Sequence, residues 1–236
     1  MLFQMNTRPH IADSINNSVL FNGLADNQLA ELIKIGSHKH LPPQSILFHQ
    51  DDPATTCFMV IRGRLKLTKL NDQGQEVIIR YIDVGEVTAA MAVLKDSKYP
   101  VTAQTNEKAD VIGWDKPTMI RLIRQYPDIA INLLGILLAR LDEVQDRYLE
   151  LCTEQADRRI ARSLLRFMQR AGIKTEEGIH IDIPLSRQTI AEFCGTTLFT
   201  VSRTLSAWEK NGWVKSAHKK ILITNPHALV LFAEAG

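Results

Sequence analysis

Apolar and polar positions alternate along this chain with different periods, and each period marks a different stretch. Phe58-Met-Val-Ile-Arg-Gly-Arg-Leu-Lys-Leu alternates on either side of Gly63. That is the period of two expected of a half-buried strand. Asn71-Asp-Gln-Gly74 reads as a hairpin turn, and 76–82 and 101–114 continue the pattern. Many short strands between 41 and 114 predict a sandwich or jelly-roll barrel. Residues 13–36, ahead of them, read as helical, with Leu20, Phe21, Leu24, Leu29, Leu32 and Ile33 as apolar points. Pro42-Pro43 ends that pattern.

After Pro117 the period lengthens. Pro127 suits the first position of a long helix, where its missing N–H costs little. Ala130, Leu134, Leu137, Leu141, Val144, Tyr148 and Leu151 follow at alternating steps of four and three, a heptad seam that predicts a parallel homodimer. Ile129, Leu133, Ile136 and Leu138 form a second stripe, expected to pack on the barrel. A hinge at 151–155 leads into a helix reaching about Arg170. Arg158, Arg159, Arg162, Arg166 and Arg170 recur along it, as phosphate ligands or as a solvated face. Gly172 reads as its C′ residue, and 178–184 as a strand.

The stretch 186–223 carries the sharpest pattern. Ser186 caps a short helix over 187–194, Gly195 makes a tight turn, and Thr197 caps a second helix over 198–211. Val201, Leu205 and Trp208 fall at i, i+4 and i+7, one apolar stripe facing inward. Ala191 is small where the two helices cross. Leu198, Phe199, Ser202 and Arg203 lie on the opposite side, a packed back and a free N-terminal face that a major groove accepts. Residues 213–215 and 220–223, joined by Ser216-Ala217-His218-Lys219, read as a wing.

Composition narrows the class. The chain has 236 residues, 45% hydrophobic and 23% charged, room for two modest domains. No long apolar segment marks a signal peptide or a membrane span, so the expected location is the cytoplasm, with no membrane partner. Cys57, Cys152 and Cys194 are sparse and odd in number, against a disulfide framework, and no Cys-x-x-Cys spacing suggests zinc or an iron–sulfur cluster. The charge is uneven: residues 153–236 hold 12 Lys/Arg against 8 Asp/Glu, whereas 1–152 hold 16 against 18. A basic C-terminal part suits a nucleic-acid binder behind a sensor.

Leu185-Ser-Arg-Gln-Thr-Ile-Ala-Glu-Phe-Cys-Gly, with Thr200-Val-Ser-Arg and Asn211-Gly-Trp-Val, resembles the winged helix-turn-helix of the cyclic-AMP receptor protein/FNR (CRP/FNR) superfamily of bacterial transcription regulators. Gly63, Gly74 and Gly85 lie where its barrel has structural glycines. The resemblance implies an α+β fold: a cyclic-nucleotide-binding-type jelly-roll barrel (1–126), a dimerisation helix and hinge (127–152) and a winged helix-turn-helix (153–236). It implies a homodimer on palindromic double-stranded DNA, RNA polymerase as partner, activation, and no enzymatic activity. Arg203 forks to guanine O6 and N7, with Ser202 assisting. Phe199 stands where the superfamily commonly has a Glu, and with Leu198 it would meet a thymine methyl. Arg187, Thr189, Thr197, Thr200, Lys219 and Lys220 are the expected phosphate contacts.

The effector differs from the family's first member. Its Gly-Glu and Arg-Ser phosphate positions are here Ala89, Ala90, Pro100 and Val101. These leave no cation there for a phosphate and no carboxylate for a ribose, which argues against a cyclic nucleotide. No cysteine precedes Cys57, so the iron–sulfur cluster of FNR is not expected either. Ala89-Ala-Met-Ala-Val-Leu, Tyr99-Pro-Val-Thr-Ala-Gln and Gly195 through Glu209 resemble the nitric-oxide-responsive Dnr/NnrR branch. That branch implies nitric oxide or a related redox or gas signal, with haem as the candidate carrier and His10, His38, His40 or His49 as candidate axial ligand. Two alternatives stand: a CRP/FNR regulator with another small-molecule effector, and a cupin-like metal enzyme. For the enzyme, His38 and His40 would share one face of a strand, with His49 a third ligand, but Leu41-Pro-Pro-Gln supplies no Glu at cupin spacing.

Overall fold

The computed structural model describes residues 14–16, 18–70, 74, 76–217 and 219–234. The chain divides into two compact units, Met1–Asp142 and Glu143–Gly236. His10, the hairpin-turn residues 71–73 and His218 lie outside the described residues.

In the first unit come α1 (Asp26–Ile35), β1 (Ser37–Leu41), β2 (Ile46–Phe48), β3 (Thr56–Arg62), β4 (Leu65–Leu70), β5 (Glu76–Ile82), β6 (Val87–Thr88), α2 (Ala90–Leu94), β7 (Thr102–Thr105), β8 (Ala109–Asp115), α3 (Lys116–Gln125) and the start of α4 (Asp128–Thr153). The strands form two antiparallel sheets, ordered β1-β8-β3-β6 and β2-β7-β4-β5. This is the expected cyclic-nucleotide-binding-type β-domain. The half-buried alternation expected of 58–67 is not what β3 shows: Cys57, Phe58, Met59 and Val60 are buried in succession, as are Val111, Ile112 and Trp114 on β8, because both faces of these strands are covered. Buried indole N–H groups need a partner, and Trp114 Nε1 donates to the Leu32 carbonyl at 3.1 Å while its ring meets the Phe21 edge. The bond ties α1 to the barrel, and the ring contact ties the 3-10 turn that precedes it.

The expected helix over 13–36 is interrupted. A 3-10 turn at Val19–Phe21 is followed by Gly23 at φ +90° before α1 begins at Asp26. The apolar points are still buried or half-buried, so burial follows the pattern where helix continuity does not. Pro127 immediately precedes α4 instead of opening it, and its carbonyl accepts from the amides of Ala130 and Ile131.

On α4, Ile129 and Leu133 are buried and Ile136 is half-buried against the barrel core, as expected of the second stripe. Leu137 and Leu138 exchange the places read from the sequence. Leu137 packs partly on the barrel, whereas Leu138 is exposed beside Ile131, Leu134, Leu141, Val144, Tyr148 and Leu151. The reason is rotation: at 100° per residue, Leu137 lies 40° from Leu133 on the barrel side, and Leu138 lies 40° from Leu134 on the open side.

The second unit holds α5 (Ala156–Ala171), β9 (Gly172–Thr175), β10 (Gly178–Ile181), α6 (Arg187–Cys194), α7 (Leu198–Lys210), β11 (Val214–Ala217), β12 (Lys220–Ile223) and α8 (Pro226–Glu234). Its sheet runs β11-β12-β10-β9, so the wing continues into a second hairpin that the sequence did not disclose. Gly172 is extended, at φ −83° and ψ 124°, so it is not an αL cap. A Cβ there would stand 2.3 Å from the Met168 carbonyl oxygen, and that close approach accounts for the glycine. The second wing strand has the expected bounds, 220–223, whereas the first runs over Val214–Ala217 where 213–215 was expected, with Ala217 paired to Lys220. Among the described residues, no single helix is long and apolar enough to cross a membrane.

Candidate nucleic-acid interface and effector cavity

The helix-turn-helix is built as its residues dictate. Ser186 Oγ accepts from the Thr189 amide at 2.9 Å, capping α6. Gly195 closes α6 at φ +60°, a conformation costly for residues with a Cβ. Thr197 Oγ1 accepts from the Thr200 amide at 3.1 Å, capping α7. Val201, Leu205 and Trp208 are buried behind α7, and Ile190 and Ala191 are buried on α6. Trp208, Trp213 and Phe232 pack around the far end of α7, with ring centroids 5.6–6.2 Å apart.

The opposite face is open. Phe199 is 75% exposed, and Leu198 and Arg203 are exposed beside it. Arg203 has no hydrogen bond or ion pair among the described residues, and Ser202 is half-exposed on the same face. Lys219 and Lys220 are exposed at the wing turn, Lys219 at φ +57°. The Lys219 carbonyl accepts from the Leu185 amide at 3.1 Å, which ties the wing to the start of α6. Thr197 is the cap of α7, Thr189 and Thr200 lie in the first turns that Ser186 and Thr197 cap, and all three side chains are at or near the surface.

Arg187 is already engaged. Its Nη2 donates to Ser216 Oγ at 3.2 Å and stands 3.7 Å from Glu209, while Glu209 accepts from the Ser216 amide and hydroxyl. This network locks the wing to α7. The arginine row of α5 is mostly structural too. Arg159 donates to the carbonyls of Glu154, Cys194 and Gly195, the last two at the end of α6. Arg166 makes a bidentate pair with Glu150 at 2.6 and 3.0 Å, and Arg162 pairs with Glu154 at 2.8 Å. Both carboxylates lie on the N-terminal side of α5, so these pairs clamp it to the end of α4. The sequence left the row as phosphate ligands or a solvated face, because the carbonyls and carboxylates that lie opposite come from distant positions.

In the first unit, a cavity of about 230 Å³ lies among Phe48, Leu67, β6, α2 and the barrel-facing side of α4. Ala89, Ala90, Pro100 and Val101 all line it, so the four positions that differ from the phosphate-binding pattern are brought together. Ala89 holds φ +65°, a left-handed conformation retained without glycine. The expectation that no cation remains needs correction. Arg140 also lines this cavity and donates to the Val87 carbonyl at 2.8 Å. It follows Ile129, Leu133, Ile136 and Leu137 on one helical face, and a charge breaking that apolar stripe was the available signal.

The described histidines do not meet there. His38 Nε2 lies 3.2 Å from the Ile33 carbonyl, His40 contacts Asp110 and His49 is exposed. None lines the cavity. Among the described residues no three His, Cys, Asp or Glu side chains gather as a metal site, so the cupin-like reading finds no third ligand.

Known proteins share both halves. Residues 38–126 match the cyclic nucleotide-binding domain and residues 158–232 the Crp-like helix-turn-helix domain. The chain is a CRP/FNR-type DNA-binding transcription regulator. The regulator is 27% identical over 207 residues to the transcriptional activator protein anr of Pseudomonas aeruginosa, covering 88% of this chain and 84% of that one. It is 24% identical over 222 residues to the nitrogen fixation regulation protein FixK of Bradyrhizobium diazoefficiens, covering 94% and 92%. A CRP-like cAMP-activated global transcriptional regulator of Mycobacterium tuberculosis is 21% identical over 210 residues, covering 89% and 94%. Among solved structures, FixK2 from Bradyrhizobium japonicum superposes with a TM-score of 0.72 at 22% identity, covering 86% of the regulator and 99% of that chain. That likeness shows the shared fold.

Proposed function

We propose that the regulator acts as a homodimer on a palindromic operator, with Arg203 reading guanine and Phe199 and Leu198 meeting thymine methyls. The observation carrying this reading is the exposed, unpaired N-terminal face of α7 over a fully packed back. Ser202 assists Arg203, and Thr189, Thr197, Thr200, Lys219 and Lys220 contact phosphates. Arg187 reaches phosphate only by leaving Glu209 and Ser216. Dimerisation uses Leu134, Leu141, Val144, Tyr148 and Leu151, with Leu138 in place of Leu137 beside the barrel. RNA polymerase is the further partner, and the cytoplasm the place of action. The division into a sensing domain over 1–126, a dimer helix and hinge over 127–152 and a DNA-binding domain over 153–236 belongs to the same reading.

The barrel answers a signal other than a cyclic nucleotide, because the Ala89, Ala90, Pro100 and Val101 side chains replace the groups that bind a phosphate and a ribose. The resemblance to the Dnr/NnrR branch supports nitric oxide or a related redox or gas signal. Haem as its carrier does not fit the described residues: the cavity holds less than the space typical of drug-sized ligands, and His38, His40 and His49 lie elsewhere. A competition titration of palindromic against scrambled duplex, repeated across salt concentrations, tests the DNA reading. Preference for the palindrome is expected, and equal binding would refute it. A Soret band after mixing with haem, shifted by nitric oxide, would restore the haem route.

A further inference from the structure

Thr88 presents a polar side chain to the barrel cavity without a bond of its own. It is 3% exposed, lines the cavity, and its hydroxyl has no hydrogen-bond partner among the described residues. A hydroxyl that faces a cavity with its hydrogen-bonding capacity unused is available to a ligand there. Arg140 lines the same cavity, and its guanidinium is anchored on the carbonyl of Val87, the residue before Thr88. A fixed cation and an unsatisfied hydroxyl therefore stand together at one place on an otherwise apolar wall. That wall is Phe48, Leu67, Met91, Val101, Leu133 and Ile136.

We propose that this cavity binds a small monocarboxylic acid, its carboxylate held by Arg140 and Thr88 and its compact apolar body among those side chains. The inference rests on reading the barrel as an effector domain that answers something other than a cyclic nucleotide, and it takes the alternative of a small-molecule effector in place of nitric oxide. Size supports it. An apolar cavity of roughly 150 Å³ accommodates benzene, so about 230 Å³ takes one ring or a short branched chain plus a polar arm. Chemistry supports it as well. The wall offers no carboxylate for a ribose and no donor set for a base, whereas guanidinium and hydroxyl are both donors to a carboxylate.

The test is calorimetric titration of the full chain with benzoate and hexanoate, against the neutral analogues benzamide and hexanamide, and with cyclic AMP in a separate arm. The acids are expected to bind at one site per chain, and the amides about tenfold more weakly, the ratio set by one charge-assisted contact. Arg140→Gln is expected to abolish the preference for acid over amide. Thr88→Val, nearly isosteric and folded in any case, is expected to weaken acid binding several-fold. Equal affinity for acid and amide, or acid binding untouched by Thr88→Val, would overturn the proposal. So would no binding of acid where cyclic AMP also fails to bind, and that result leaves the non-nucleotide reading standing. Saturable binding of cyclic AMP would overturn that reading and the proposal with it.

Discussion

Arg147 holds Phe193 in two ways: its guanidinium donates to the Phe193 carbonyl at 3.0 Å and lies 4.2 Å from the centroid of the Phe193 ring. Arg147 belongs to α4, and Phe193 to the first helix of the helix-turn-helix. Together with Arg159 on the carbonyls of Cys194 and Gly195, it supplies donors to the end of α6, where a helix leaves carbonyls unsatisfied and its dipole favours cations. Burial lowers the Arg147 pKa from its ordinary value, with the neighbouring Arg166 acting in the same direction. The group stays charged all the same, because arginine titrates so far above neutrality.

Replacing Arg147 by alanine removes both contacts and leaves the carbonyl facing a gap. A hydrogen bond from a charged donor and a desolvated cation–π contact each contribute on the order of 1–2 kcal/mol, and sharing one side chain makes them less than additive. Arg147→Ala is expected to destabilise the DNA-binding unit by about 2 kcal/mol. Urea unfolding followed by tryptophan fluorescence measures it, as a lower midpoint at unchanged slope.

Arg203→Ala is expected to cost ~1–3 kcal/mol of operator affinity and to relax discrimination at one guanine. Because Arg203 is unpaired in the protein, its loss leaves no buried partner stranded, and thermal stability should not change. Phe199→Glu is expected to create a preference for cytosine at the neighbouring position, since a carboxylate accepts from its N4 amino group. Binding titrations at fixed salt, with each base pair varied in turn, check both substitutions.

The helix-turn-helix was legible in the sequence because its signals are local. Caps at Ser186 and Thr197, a turn glycine at Gly195 and the Val201, Leu205, Trp208 stripe each act within a few residues. The barrel was legible from the apolar runs and turn residues through 58–67 and 101–114, although β3 and β8 are buried on both faces and do not alternate. What the sequence hid is non-local. Arg140 enters the cavity from a helix about 50 residues after Thr88, and Glu209 captures Arg187 from the far end of α7. The Leu137 and Leu138 exchange came from phase: a heptad and a 3.6-residue helix diverge along α4, and the barrel side claims Leu137.

The open side of α4 predicts its own disruption. Leu141 is 52% and Val144 62% exposed in the single chain, far more apolar surface than a lone helix keeps in water. Leu141→Asp with Val144→Asp places two carboxylates in the proposed seam, and sedimentation is expected to find monomers. Asp142→Ala, on the flank, is expected to leave the dimer intact. An intact dimer in the double variant would place the interface elsewhere.

Cys57 gives a pH-dependent prediction. Its side chain is fully buried on β3, with Sγ donating to the Trp114 carbonyl at 3.3 Å. Burial pushes the thiol up from 9.0 to about 12. Burial raises the Cys194 thiol as well, whereas Cys152 is exposed. Alkylation at pH 8 in the native state should therefore spare Cys57 and Cys194, and all three should react after unfolding. The stability effect follows from proton binding. Below pH 9 the thiol is protonated in both states and contributes nothing to the pH slope. Between pH 9 and 12 the unfolded chain releases the proton that the folded chain keeps, so stability falls as pH rises through that window. Comparison with Cys57→Ala separates this loss from the tyrosines and lysines that titrate nearby. The wild-type barrel should lose stability more steeply with pH than the variant, measured by urea midpoints from pH 8 to 11. Parallel slopes would mean that the Cys57 thiol ionises as freely in the folded protein as in the unfolded chain.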